Sequence, residues 1–235
     1  MTLLTKALFI EEIRKGLKES EGEKVLDHPY PKPYPDHPIN SKAILLGCDP
    51  SNKHCQDLPY VFAIRSSHKI FNSFVASLQK QLGAVGLSLE TVYSQNLCRN
   101  YFKDETSKNS IWETVARLWI PVLKKELDEK CARTTPMLLT SEVLYKILLN
   151  EDVAIKKAKD FYSCLKDAPI PVPAKENKLG RPLIPFYRHY KYDLTIKEWE
   201  TYRNIVREIV MGSTIKQSLT VPFWNMLPMS NKMAR

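Results

Sequence analysis

Three polar residues stand out for what their side chains can do. Asp49 is a carboxylate able to orient a water or take its proton. Asn96 carries an amide that both donates and accepts, and His189 an imidazole that can donate to an oxygen as it gains charge. Asp49 follows a short apolar run, Ala43 to Leu46, within Gly47-Cys48-Asp49-Pro50-Ser51-Asn52. Gly47 lets the backbone turn where a side chain would obstruct it. Pro50 has no N–H to continue a strand ladder. A carboxylate before proline is also ordinary turn chemistry, so Asp49 alone specifies nothing.

The elements around these residues decide whether they can meet. Residues 3–19 read as an amphipathic helix. The stretch 27–38, DHPYPKPYPDHP, is an extended connector whose prolines forbid helix and sheet. His28 and His37 within it lack metal-ligand spacing. Strands are predicted at 42–47, 90–96, 136–140 and 181–187, the last as an edge strand because of its two prolines. Between them fall helices at 68–82, at 110–130 and from Thr140 or Ser141 onward. The first of these sets Ile70, Phe71, Phe74, Leu78 and Leu82 toward the core. The second buries Trp112, Val115, Leu118, Trp119, Val122 and Leu123, with a kink at Pro121. Capping-box patterns occur at Ser110 with Glu113 and at Thr195 with Glu198, the latter opening a last helix that stops at Gly212. Phe62 reads as a core aromatic.

Alternating helix and strand implies a parallel sheet covered on both faces. The expected fold is α/β, a three-layer α/β/α arrangement with a central four-stranded, mostly parallel sheet. One domain is expected over 1–235: helix and connector at 1–39, core at 40–212, tail at 213–235. In such a sheet the carboxyl ends of the strands share one rim. Asp49, Asn96, Thr140 and His189 would therefore converge there without being close in sequence.

Bulk composition narrows the partners. Lys and Arg number 35 against 26 Asp and Glu, a net charge of +9, which favours a polyanion such as nucleic acid. Lys53, Arg65, Arg99 and Lys103 flank the predicted rim, where a solvated face is their plain reading. No run of about 18 apolar residues exists, so no membrane span is expected. The five cysteines, Cys48, Cys55, Cys98, Cys131 and Cys164, include no C-x-x-C pair, which argues against a zinc site or disulfide scaffold and for reduced thiols in an intracellular compartment, cytoplasm or nucleoid or nucleus.

With these residues in order, the chain resembles the uracil-DNA glycosylase superfamily, and in spacing the uracil-DNA glycosylases proper, over roughly residues 40–210. Their GQDPYH loop corresponds to GCDPSN here, with Asp49 in place. Their base-stacking aromatic, thirteen residues beyond the aspartate, falls on Phe62. The asparagine that reads the uracil edge at the end of their second strand falls on Asn96, and the histidine after their fourth strand on His189 in IPFYRHYKYD. The resemblance implies a monofunctional hydrolase that excises uracil or a related deaminated base flipped out of DNA. In it, Asp49 and His189 are catalytic and Phe62, Asn96, Cys48 and Ser51 surround the base. Asn52, Arg188, Tyr190 and Lys191 contact the DNA strand. It implies no metal or other cofactor, a DNA partner, single-stranded or duplex, no membrane, and a monomer. The chain departs from the family at Ser51, where a thymine-excluding tyrosine is usual, at Asn52, where histidine is usual, and at HYKYDL, which replaces HPSPLS. These departures keep open a member that binds DNA or a protein without excising a base.

Overall fold

Ala43–Gly47 is buried at every position, which its neighbours explain: it is paired on both edges and covered on both faces. A computed structural model describes residues 3–36, 38, 40–50 and 57–218, with side chains from 9 to 212. Its strands are β1 (Val25–Leu26), β2 (Ala43–Gly47), β3 (Val92–Asn96), β4 (Tyr101–Phe102), β5 (Met137–Leu139) and β6 (Leu183–Pro185). Its helices are α1 (Leu3–Lys15), α2 (Glu19–Gly22), α3 (Asn72–Ala84), α4 (Trp112–Lys130), α5 (Glu142–Leu148), α6 (Ala158–Tyr162) and α7 (Glu200–Ser218). The main sheet has the order β3-β2-β5-β6, all parallel, and helices flank it in a three-layer α/β/α fold. The chain steps from β2 to β3 on one side, then crosses to β5 on the other. That reversal falls at the carboxyl end of β2, and in such sheets ligands bind at a reversal of this kind.

The register fixes the rim. Gly47 is level with Asn96, Leu46 with Leu139, and Leu139 with Pro185. One continuous hydrophobic core extends from Ile13 to Val210.

Several local expectations are corrected. The first helix ends at Lys15, and 19–22 forms a separate turn of helix. β1 and β4 form a small antiparallel sheet that no apolar periodicity announced, because two-residue strands carry none. The Pro-rich connector does pair. Tyr34 exchanges both backbone hydrogen bonds with Ser94, and Lys32 bridges Tyr60. Pro31, Pro33 and Pro35 alternate with these residues, so each missing N–H falls off the ladder, and the open edge of β3 is covered. Ile111 precedes α4 without a side-chain cap; Asn109 Oδ1 instead accepts from Ile111 N at 3.1 Å, so the Ser110 capping box does not form. Nor does Thr195 cap the last helix. Its N–H donates to Asp193 Oδ1, a turn of 3-10 helix covers Lys197–Trp199, and α7 then runs through Gly212 to Ser218. Leu118 is exposed because the buried side of α4 follows 112, 115, 116, 119, 120, 123 and 127, one helical stripe that excludes 118. Ile70 is exposed too, since it lies in a 3-10 turn before α3. Pro121 does lie inside α4, and Ser141 does cap α5, accepting from Val143 N.

α4 is fastened along its length. Tyr93 and Gln95 of β3 donate to Glu126 Oε1 at 2.5 and 3.2 Å, and Arg99 forms an ion pair with the same carboxylate. Arg99 therefore turns inward and does not belong to a solvated face. At the far end the fully buried Arg181 donates to the carbonyls of Leu127, Cys131 and Ala132 and to Asp128. A cation there also suits the negative end of the helix dipole. Arg181→Met should lower unfolding free energy by about 2–4 kcal/mol, because several buried carbonyls lose their donor. Chemical denaturation measures this, and a loss under 1 kcal/mol would contradict it.

Candidate functional site

The rim of the sheet is built from four strand ends. Gly47 approaches its neighbours more closely than any other residue type could. A Cβ placed there would stand 2.2 Å from Asn96 Oδ1 and 2.9 Å from Phe62 Cζ. The amide and the aromatic edge thus meet over a bare backbone. Asn96 is 3% exposed, and among the described residues no group hydrogen-bonds to its side-chain amide.

Phe62 is held where it is by an unfavourable backbone. Phe62, Ala63 and Arg65 have φ of 57°, 56° and 58°, a region that costs a non-glycine residue roughly 1–2 kcal/mol. The turn is stitched down by Val61 N donating to Lys32 O and by Leu58 N donating to the Tyr101 hydroxyl. Strain kept in this way clusters at ligand clamps. Phe62 is also part of the hydrophobic core, as its plain reading expected.

Asp49 lies two residues past Gly47, half-buried. Its Oδ1 accepts from Thr106 Oγ1 at 2.5 Å and from Trp112 Nε1 at 2.8 Å. Burial pushes the carboxyl up to about 6, although those two hydrogen bonds and the nearby Arg188 pull it down. Cys48, whose thiol is bonded to Ser141, is pushed up to about 12 by burial, with the Asp49 charge adding to it. Burial thus favours the neutral thiol over the thiolate. Cys98 N donates to Cys48 O at 2.8 Å, tying the loop after β2 to the end of β3.

On the other side, Arg188 N donates to Thr140 O. Its guanidinium lies 4.9 Å from the centre of the Phe74 ring while its charge reaches Cys48 and Asp49. His189 is exposed. Its Nδ1 accepts from Lys191 N at 3.3 Å, which leaves Nε2 as the donor of the ring. The ring rests against Tyr190, 4.5 Å between centroids. Among the described residues no contact joins His189 to Asp49. Tyr190 is 75% exposed, and Lys191 is exposed and forms no ion pair among the described residues. Behind them the loop is braced: Trp199 Nε1 donates to Lys191 O at 2.7 Å, and Tyr192 leans on Tyr162.

Asp49, Phe62, Asn96, Cys48 and Arg188 are therefore brought to one rim. His189, Tyr190 and Lys191 stand at its β6 end, roughly 14 Å from the β3 end, three strand spacings of about 4.8 Å. Ser51, Asn52, His37, Lys53, Cys55 and the tail residues Phe223 and Trp224 lie outside the described residues. Thr106 and Trp112 were missed as site residues. Trp112 read simply as core, yet a buried indole N–H needs an acceptor, and that need was the available signal. A cleft of about 650 Å³, lined by Tyr145, Lys156, Phe161 and Lys175 among others, shares no residue with the rim. Among the described residues no three His, Cys, Asp or Glu side chains are grouped to hold a metal ion, no disulfide forms, and no helix is long and apolar enough to cross a membrane. No protein-family model matches the chain, and no curated protein matches it significantly.

Proposed function

We propose that the rim is the base pocket of a DNA glycosylase that hydrolyses the N-glycosidic bond of uracil or a related deaminated base flipped out of its strand. The observation that carries this reading is the Asn96 amide set against the Phe62 edge over Gly47, with the Asp49 carboxylate two residues further on. The uracil edge offers an acceptor at O4 and a donor at N3, and one amide satisfies both; cytosine presents the reverse pattern. Stacking on Phe62 would return about 1–3 kcal/mol of the cost of unstacking the base. As the bond breaks, the base gains negative charge at O2, and a donor such as His189 Nε2 stabilises it. Asp49 orients water toward the anomeric carbon and its charge stabilises the sugar cation. Arg188, Tyr190 and Lys191 would hold the strand, consistent with the net charge of +9.

The test is base release. The full chain is incubated with a uracil-containing single strand and duplex, and abasic sites are cleaved with alkali. Release of uracil, with hypoxanthine, xanthine and mispaired thymine as comparators, is expected. No abasic site from any of them rejects the reading. The separation of His189 from Asp49 favours a second reading, a protein that binds DNA, or another protein, without excising a base. Salt-dependent DNA binding unaffected by Asp49→Ala, with no base release, would select it for the DNA case.

A further inference from the structure

The Asp49 carboxylate is not free to turn. Two donors from one segment converge on a single oxygen: the Thr106 hydroxyl, in the 3-10 turn Thr106–Lys108, and the Trp112 indole N–H at the first residue of α4. Among the described residues no donor reaches Oδ2. Two hydrogen bonds to one oxygen fix the plane of a carboxylate and direct the other oxygen away from them. Trp112 is 2% exposed, so its N–H has lost water and must keep this acceptor. α4 is itself anchored by Glu126 to β3 and by Arg181 at its end, so the Trp112 donor sits on a rigid element.

We infer that Thr106 and Trp112 are the positioning residues of Asp49, clamping Oδ1 so that Oδ2 is presented to a water at the rim. The inference deepens the glycosylase reading in naming the use of that water, but the clamp itself is a property of the carboxylate. Both hydrogen bonds favour the charged form; the titratable groups near Asp49 are its neighbour Cys48 and, from other elements, Arg188 beyond β6 and Cys98 beyond β3. Loss of either donor must therefore move the Asp49 titration to higher pH.

The variants are Trp112→Phe, which keeps the ring and removes the N–H, and Thr106→Val, which keeps the shape and removes the hydroxyl. Thr106→Ser restores the hydroxyl. Asp49 is followed in the full chain by carbon-13 NMR of its carboxyl, with circular dichroism to show that each variant is folded. The titration midpoint should rise by about one pH unit in Trp112→Phe and in Thr106→Val, and return to the parent value in Thr106→Ser. If base release occurs, kcat should fall about tenfold in the first two variants with KM nearly unchanged, because the clamp acts on the attacking water and not on substrate binding. A merely structural tryptophan would change stability and leave the midpoint in place. An unchanged midpoint in both folded variants overturns the inference. A shifted midpoint in a protein that releases no base upholds the clamp and rejects the glycosylase reading, so the two failures are distinct.

Discussion

Asp49→Asn should excise base about 10²–10⁴-fold more slowly than the parent and yet be the more stable protein at neutral pH. Asparagine keeps an oxygen that can accept from Thr106 and Trp112, so the local geometry survives. It loses the charge that holds the water and faces the sugar cation. Stability moves the other way because burial raises this carboxyl from 3.8 to about 6. A group whose folded value lies above its unfolded value stabilises fully below 3.8 and loses that contribution as pH rises through about 6. At pH 7 the parent therefore carries a half-buried charge that the variant lacks. The gain in the variant is about 1–3 kcal/mol, the upper figure being the full linkage and the lower allowing for solvent screening. Denaturant titrations at pH 7 and pH 4 separate the two: the difference should be present at pH 7 and nearly gone at pH 4. The activity of the parent should fall as pH drops through about 6, since the protonated carboxyl no longer accepts a proton from water. A variant that is both active and less stable at pH 7 would contradict the site assignment.

Gly47→Ala should cost at least about a hundredfold in kcat/KM, an effect of one methyl group in the wrong place. Gly47 does not have positive φ, so alanine meets no backbone objection there. The collision is with function: the new Cβ would overlap Asn96 Oδ1 at 2.2 Å and crowd Phe62 Cζ at 2.9 Å. Either the amide or the ring must leave the position from which it would read the base. Overpacking of this sort also lowers stability by about 1–3 kcal/mol. Adding Asn96→Ala should relieve the overlap and restore much of the lost stability without restoring activity. The two substitutions would then be non-additive in stability, as expected for groups in direct contact. Retention of full activity by Gly47→Ala would remove the ground for placing a base beside Asn96.

Much of this arrangement follows from sequence, for identifiable reasons. Ala43 to Leu46 is uniformly apolar because β2 is central, and a central parallel strand can be recognised by that alone. Asp49 and Asn96 fall just after or at strand ends, and parallel pairing then places both ends on the same rim whatever the details of the loops. The two prolines of 181–187 marked an edge strand, and β6 is one. Helix ends were read less well. Ser110 and Thr195 have the pattern of caps, but the chain turns before them instead: Asn109 Oδ1 accepts from Ile111 N and Asp193 Oδ1 from Thr195 N, and α4 and α7 begin later.

What only the tertiary structure decided is how the side chains at the rim are held. That Asn96 and Phe62 close over Gly47, that Phe62 sits at positive φ, and that Thr106 and Trp112 share one oxygen of Asp49 all depend on contacts between residues far apart in the chain. Arg99 shows the same limit: its charge read as solvent-facing, and the Glu126 carboxylate turned it inward. Hydrophobic periodicity reports which face of an element is buried, so it fixes the layers and the rim. It carries no information about which donor meets which acceptor there, because that is settled by packing across the sheet.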